Sequence, residues 1–224
     1  MSNALAGAEF PRKYVKPDAD FGEWATAEPY FQELCERPIA SREALEQWLL
    51  DVSELEAAFE EEGSRRYTAM TCQTDDPERQ QRFMHYVENV APKAEPWRDR
   101  IRRKFVDHAG QFDLPAKRYE VLIRSARNTI ELYREENIPL LVEDQKLKTE
   151  QQQITGAMTV SWEGEELTLQ QLARYLEEPD RAVRERAWRL GAERFAKDFA
   201  ALDAIYSKMV ALRHQVATNA GCRD

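Results

Sequence analysis

The sequence predicts a mainly α-helical fold, a multi-helix lobe that carries one small β-hairpin near residues 157–168. Apolar residues recur at intervals of three and four over most of the chain, which is the spacing of helices with one buried face. Only 8 glycines and 10 prolines occur among 224 residues, too few for the many turns of an all-β fold. One stretch, residues 157–168, instead alternates apolar and polar side chains and therefore predicts strands.

The composition is that of a folded, charge-rich protein, with 42% hydrophobic and 33% charged residues. A formal net charge of −9 repels phosphate backbones, so we expect no nucleic-acid partner. The main counter-indication is the basic run from Arg98 to Lys104. The spacing of Ile101 and Phe105 predicts that this run is a helix with one apolar stripe and a solvated basic face. A nucleic-acid binder acting through this run is the alternative, and it requires salt-sensitive binding.

The cysteines and the apolar stretches indicate a cytoplasmic protein. Cys35, Cys72 and Cys222 are far apart in the sequence and form no CxxC motif, which favours reduced thiols over a disulfide framework. The first ten residues lack the basic and apolar regions of a secretory signal. No stretch approaches 18 uninterrupted apolar residues, so we expect no membrane partner.

Residues 1–20 are predicted to be an extended lead-in, and a helix with Ser41 as its N-cap follows. Gly63 is the predicted end of that helix, and the acidic run 60–62 is predicted to be its solvated last turn rather than a cation site. The apolar residues of this helix fall on one stripe: Leu45, Trp48, Leu49, Val52, Leu55 and Phe59.

Prolines divide the middle of the chain. Asp76 followed by Pro77 predicts a helix start, because a proline at the first helical position lacks only an N–H that would be unbonded anyway. Pro92 and Pro96 are expected to kink or split this helix. A third helix is predicted from Pro115, and a proline at position 139 is expected to end it and to open a fourth, polar segment.

The predicted hairpin consists of two short strands around a Glu-Gly turn. Thr168 and Gln171 form a capping-box pattern, which predicts that a helix begins directly after the second strand. A two-stranded hairpin is marginal in water, so we expect it to lie on helices or to pair with another element. Trp162 is predicted to be a packing residue, with contact to a substrate as the alternative.

A long helix is predicted after Asp180, which can serve as its N-cap. Gly221 fits the position that closes a helix. Apolar residues keep the helical rhythm between these two points: Phe195, Phe199, Leu202, Tyr206, Met209, Leu212, Val216 and Ala220.

No motif that carries catalytic chemistry was found. His85, His108 and His214 are the three histidines, and no two are three to five residues apart. The sequence contains no HExxH, no clustered Cys and His, no GxSxG and no glycine-rich phosphate loop. We therefore expect no catalytic residue and no metal ligand in this chain, and we assign no substrate-binding residue. His214 is the histidine that could face a neighbouring domain.

Five segments of the sequence form an ordered pattern: residues 46–76, 88–105, 124–147, 154–189, which includes "TVSWEGEELTLQQLARYLEEPD", and 212–221, "LRHQVATNAG". Taken in this order, they resemble the N-terminal portion of an oligoendopeptidase F-type enzyme of the M3 (thimet-oligopeptidase-like) family of zinc metallopeptidases. The resemblance runs from about residue 10 to the end of the chain.

The resemblance implies a mostly helical, two-lobed body with a deep channel in which short peptides are cut. In that family two histidines of an HExxH helix and a downstream glutamate hold zinc, and none of these residues has a counterpart here. The implied organisation is a lead-in at residues 1–20 and a helical N-terminal domain at residues 21–195. Residues 196–224 would be the first helix of the catalytic domain, truncated at Asp224.

The implied function is that of the non-catalytic N-terminal part of a zinc-dependent oligoendopeptidase, which helps wall the peptide channel. The chain is expected to be inactive by itself and to carry no cofactor, with zinc implied for the full-length enzyme. Its expected partners are the remainder of the catalytic domain and, through the complete enzyme, short peptides. The alternative is a stand-alone helical interaction module. A fragment should leave the apolar stripe between Phe195 and Val216 partly exposed, whereas an independent module should cover it.

Overall fold

The computed structural model describes residues 12–223 and confirms a mainly α-helical fold with one small β-hairpin. A π-helical turn, Tyr86–Val90, precedes the fourth helix, and a 3-10 turn, Arg174–Glu177, follows the seventh. The helices are α1 Trp24–Glu36, α2 Arg42–Cys72, α3 Pro77–His85, α4 Ala91–Gln111, α5 Ala116–Leu132, α6 Asn137–Gly156, α7 Leu169–Ala173 and α8 Arg181–Asn219, and the strands are β1 Thr159–Trp162 and β2 Glu165–Thr168.

The described residues form two compact units. The first contains residues 12–69 and 81–138, and the second contains residues 70–80 and 139–223. Helix α8 lies wholly in the second unit, and the expected boundary between residues 195 and 196 falls inside it. The predicted lead-in lies partly outside the described residues, and its residues 12–20 form neither helix nor strand.

Aromatic side chains fill the core of the first unit. Phe31 and Phe59 meet edge to face, with ring centroids 5.5 Å apart, and Phe59 also lies against Tyr86. The predicted stripe of α2 faces this core: Leu45, Trp48, Leu55 and Phe59 are buried, and Leu49 and Val52 are partly buried. The helical spacing therefore identified the buried face of α2 correctly.

The predicted helix end at Gly63 is wrong, because α2 continues through this residue to Cys72. A Cβ atom at Gly63 would lie 2.9 Å from Cε1 of Tyr86. The hydroxyl of Tyr86 donates a hydrogen bond of 2.9 Å to the carbonyl oxygen of Phe59, which fixes the ring in that place. Gly63 therefore makes room for the ring of Tyr86 and does not end the helix.

The acidic run 60–62 is not a helix end, but the side chains of Glu60 and Glu61 are solvated as predicted, at 70% and 58% exposure. Glu62 is only 8% exposed and accepts a hydrogen bond of 2.7 Å from Arg66. Its neighbours Glu60 and Glu61 form ion pairs with two other arginines, Arg98 and Arg12. Consecutive helical residues point about 100° apart, so the three carboxylates reach three different cations.

The prolines act as predicted in part. The π-helical turn interrupts the α-helix directly before Pro92, whereas α4 continues through Pro96. Pro115 is the N-cap residue of α5, which ends at Leu132 because Tyr133 adopts an extended conformation with φ −65° and ψ 131°. The proline at position 139 therefore does not end α5 and lies in the first turn of α6.

The predicted helix caps are present. The Ser41 hydroxyl accepts a hydrogen bond from the backbone N–H of Ala44, and the Asp76 carboxylate accepts from the N–H groups of residues 78 and 79. Asp180 caps α8 in the same way, and Gly221 follows its last residues with φ +90°. Thr168 and Gln171 form both hydrogen bonds of a capping box, which starts α7.

The hairpin packs on the helices of its own unit. Its strands are antiparallel, with Thr159 opposite Thr168. Glu163 and Gly164 have φ values of 55° and 91°, so both turn residues are left-handed, which suits the twist of a two-residue hairpin. Trp162 is only 2% exposed and stacks on Tyr175 with ring centroids 4.5 Å apart, which confirms its packing role.

Gly63→Ala is expected to destabilise the protein, although alanine is the better helix former. The added methyl group must displace the buried ring of Tyr86, which we expect to lower the free energy of unfolding by about 1–3 kcal/mol. Gly110→Ala in α4 is the matched control, because a Cβ atom there meets nothing within 4 Å. The control is expected to gain up to about 1 kcal/mol. Urea unfolding followed by circular dichroism measures both, and an equal gain at Gly63 would contradict the packing role.

Candidate functional site

The three histidines lie on three different helices and each has a local environment of its own. His85 lies 3.1 Å from a carboxylate oxygen of Glu23, and the Nδ1 of His108 donates to the carbonyl oxygen of Lys104 at 2.8 Å. His214 is exposed on α8. Within residues 12–223 no three His, Cys, Asp or Glu side chains are close enough together to hold a metal ion. The described residues therefore do not fit a zinc site.

The basic run 98–104 is helical, and Ile101 and Phe105 are buried as predicted, but its cations are not uniformly solvated. The side chain of Arg98 is only 11% exposed and lies among Glu56, Glu95 and Glu60, at 2.6, 2.7 and 3.0 Å. Burial alone would lower the pKa of Arg98, but the hydrogen bonds and negative charge of its carboxylate partners outweigh burial and raise that pKa. Arg98 therefore joins α4 to α2 as a permanent cation.

Lys104 is turned inward as well. Its ammonium donates to the carbonyl oxygens of Leu34 and Cys35, at 3.0 and 2.9 Å, and to that of Arg37. Burial lowers the pKa of this lysine, and the positive charge of Arg37 acts in the same direction. The prediction of a solvated basic face is thus wrong at Arg98 and Lys104, because backbone carbonyls and carboxylates of neighbouring helices take up their charge.

Arg102 of the same run lines an open groove between α4 and α5, which we call the α4–α5 groove. Its volume is about 480 Å³. The groove contains a second arginine, Arg124, and neither arginine has an ion-pair or hydrogen-bond partner among residues 12–223. The lining residues are Glu95, Arg102, Val121, Arg124, Ser125, Asn128, Thr129, Leu132 and Tyr133.

Tyr133, directly after α5, is the last residue of this lining in the sequence. Its hydroxyl oxygen is buried and has no hydrogen-bond partner in the described part of the chain. Burial raises the pKa of Tyr133, and the negative charges of Glu135, Asp99 and Glu95 add to this effect. The phenol therefore remains protonated at neutral pH and can donate a hydrogen bond that nothing within residues 12–223 accepts.

Helix α8 carries several large apolar side chains that are exposed. Phe199 is 61% exposed and Tyr206 is 65% exposed, and Phe195 and Val210 are exposed beside them. These four residues recur at intervals of 4, 7 and 4, so they share one side of the helix. We call this set the α8 apolar face. The expectation of a partly exposed apolar stripe on this helix is confirmed.

The length and hydropathy of the helices were compared with those of a membrane-spanning helix. No helix within residues 12–223 is both long enough and apolar enough to cross a membrane.

Arg98→Met is expected to lower the free energy of unfolding by about 2–4 kcal/mol, because three carboxylates then face one another without the buried cation. Arg189→Met on α8 is the control, since Arg189 pairs with Glu185 at the surface and both side chains are more than half exposed. Its expected effect is within about 0.5 kcal/mol. Chemical unfolding at low and high salt measures both variants, and high salt should recover part of the Arg98→Met loss. Equal losses in the two variants would contradict the role of Arg98.

Three solved structures share the fold over nearly the whole chain. A candidate oligoendopeptidase F from Bacillus anthracis strain Ames matches 99% of this chain with a TM-score of 0.81 and 20% identity. A second candidate oligoendopeptidase F matches 96% with a TM-score of 0.79 and 23% identity. PZ peptidase A, solved with an inhibitor, matches 96% with a TM-score of 0.77 and 23% identity.

The chain spans about two fifths of the length of these structures: 40% of the Bacillus protein and 37% of each of the other two. No curated protein matches the chain. The family model described as "Peptidase M3 N-terminal domain" matches residues 13–133. Because this match covers more than half of the sequence, the chain belongs to the family of the peptidase M3 N-terminal domain.

Proposed function

We propose that this chain is the N-terminal, non-catalytic part of a zinc-dependent oligoendopeptidase and that it helps wall the channel in which short peptides are cut. The observation that carries the proposal is the match of residues 13–133 to the peptidase M3 N-terminal domain. The likeness to structures described as oligoendopeptidase F and PZ peptidase A supports the same fold beyond residue 133. Short peptides would be the substrates of the complete enzyme.

In this proposal the zinc and its ligands come from elsewhere in the complete enzyme. The described residues bring no metal-binding cluster together, and the three histidines are separated on α3, α4 and α8. Residues 196–224, which include the second half of α8, would be the first helix of the catalytic domain. A cytoplasmic location accords with the three free cysteines, two of which are exposed.

The α8 apolar face would be covered by the remainder of the catalytic domain. Four large apolar side chains on one side of a helix are a typical contact surface for another protein segment. Their exposure favours this proposal over an independent interaction module whose own fold covers the helix. In this proposal the segment that covers the α8 apolar face belongs to the same enzyme. A stand-alone interaction module would instead need a separate binding partner to cover that face.

The purified 224-residue chain is expected not to cleave peptides. Without a bound metal to activate water and a general base to take its proton, a quenched fluorescent pentapeptide should remain intact, with or without added zinc. Metal analysis after dialysis should find no zinc bound in stoichiometric amount. Cleavage that a chelator abolishes would overturn the non-catalytic assignment, and the same peptide with thermolysin is the positive control.

The α8 apolar face is expected to cause self-association of the isolated chain. Replacing Phe199 and Tyr206 by serine should weaken that association and the binding of a hydrophobic dye, without lowering the melting temperature, because both side chains are exposed. Leu50→Ser on α2 is the control, since Leu50 is a single exposed apolar residue outside this face. Sedimentation velocity at several concentrations measures association. A wild-type chain that stays monomeric and binds no dye would contradict the contact role.

A further inference from the structure

We propose that the α4–α5 groove binds the carboxylate of a short peptide through Arg102, Arg124 and Tyr133. The proposal deepens the proposed function and rests on it, since it assigns a peptide contact to the non-catalytic part of the enzyme. The groove has room for a few residues of a peptide, with a volume of about 480 Å³. It is formed by one pair of consecutive helices and lies entirely within the first unit.

The two arginines of the groove supply the attraction for an anion. Most other cations of the basic run are already engaged: Arg98 by three carboxylates, Arg103 by Asp99 and Lys104 by backbone carbonyls. Arg102 and Arg124 differ because they have no such partner among residues 12–223. The planar guanidinium presents paired N–H donors that match the two oxygens of a carboxylate.

The acidic residues near the groove do not cancel this charge. Glu95 lines the groove, but its carboxylate accepts a hydrogen bond of 2.7 Å from Arg98. Asp99 lies beneath the surface of α4 and accepts a hydrogen bond of 2.6 Å from Arg103. Glu95 and Asp99 are therefore each paired with a cation outside the groove. Glu135 adds one negative charge that acts on Tyr133, and the two arginines outnumber it, so the charge left to a ligand is positive. The groove is thus locally positive, although the formal net charge of the whole chain is −9.

Tyr133 adds a hydroxyl donor whose hydrogen bond has no acceptor within residues 12–223. A buried hydroxyl without a partner costs free energy, which an incoming acceptor oxygen would recover when the ring tilts toward it. Asn128 can add an amide N–H. Val121 and Leu132 are exposed apolar side chains of the same lining, so they can contact an apolar side chain next to the carboxylate.

A carboxylate fits this site better than the phosphates of a nucleic acid. A polyphosphate needs a row of cations, and the groove offers two, with Glu95 beside them. The cations that could have extended the row, Arg98 and Lys104, are turned into the core. The mixture of two arginines, hydroxyl and amide donors and apolar walls is that of a small-ligand site.

The test is a nuclear magnetic resonance titration of the isotope-labelled 224-residue chain with acetyl-Ala-Leu-Ala-Leu as the free acid. The resonances of the arginine side chains and of α5 should shift at low salt, and the affinity should fall as salt is added. Tyr133→Phe should weaken binding about fivefold to tenfold, the effect of one lost hydrogen bond. The double variant Arg102→Gln with Arg124→Gln should weaken it at least about tenfold.

Two controls separate recognition from general effects of charge and folding. Arg127→Gln removes an exposed arginine of α5 that lies outside the lining, so it should leave binding unchanged. Tyr133→Phe should not lower the melting temperature of the free chain, because the hydroxyl has no partner there to lose. A loss of binding with unchanged folding therefore reports on the ligand contact.

Two further peptides identify the source of the carboxylate. Binding of the free acid but not of its amide assigns the site to the C-terminal carboxylate of a peptide. Binding of acetyl-Ala-Glu-Leu amide assigns it to an acidic side chain, and either result supports the proposal. It is overturned if no peptide binds, if Tyr133→Phe and the double variant bind as the wild type does, or if only oligothymidylate shifts the groove resonances. This binding test requires no cleavage, so its failure is distinct from a failure of the proposed function, which chelator-sensitive cleavage would reveal.

Discussion

The C-terminus of α1 is the point on which the packing of the first unit depends. The last carbonyl groups of a helix have no partner within it and must find donors elsewhere when they are buried. Lys104 of α4 and the indole N–H of Trp48 in α2 both donate to the carbonyl oxygen of Leu34, at 3.0 and 2.9 Å. The ammonium also lies 5.7 Å from the centroid of the Trp48 ring. One cation thus fixes three helices against one another at the negative end of α1.

A second buried cation fixes the same helices from another side. Arg98 holds α4 on α2, and its guanidinium carbon lies 5.2 Å from the centroid of the Phe59 ring in the aromatic core. Buried charges contribute little net stability, but each one requires its own partners and therefore disfavours other arrangements of the helices. The basic run of α4 thus specifies how the helices pack, and only the part of it that faces α5 is left for a ligand.

Local signals predicted those parts of the fold that local chemistry decides. The capping box of Thr168 and Gln171, the caps at Asp76 and Asp180 and the stripe of α2 all depend on residues within a few positions of one another. The role of Gly63 could not be predicted from local signals, because its neighbour Tyr86 lies 23 positions away in the sequence. Helix α1 gave no clear start signal, since Glu23 makes no side-chain cap and Pro29 lies inside the helix. The α4–α5 groove could not be predicted from the sequence, because the turn between the two helices brings its lining residues together from separate stretches of the chain.

The two proposed surfaces differ in how much each would need from the rest of an enzyme. The α8 apolar face can do no more than pack against another segment, so its role is completed only by a partner. The groove consists of side chains from one helical pair, and the α4 half of that pair is held by Arg98 and Lys104. Both groove arginines therefore lie within the first unit, and the proposed binding would need no contribution from a catalytic domain. A peptide contact can thus be tested in this chain without any other part of an enzyme.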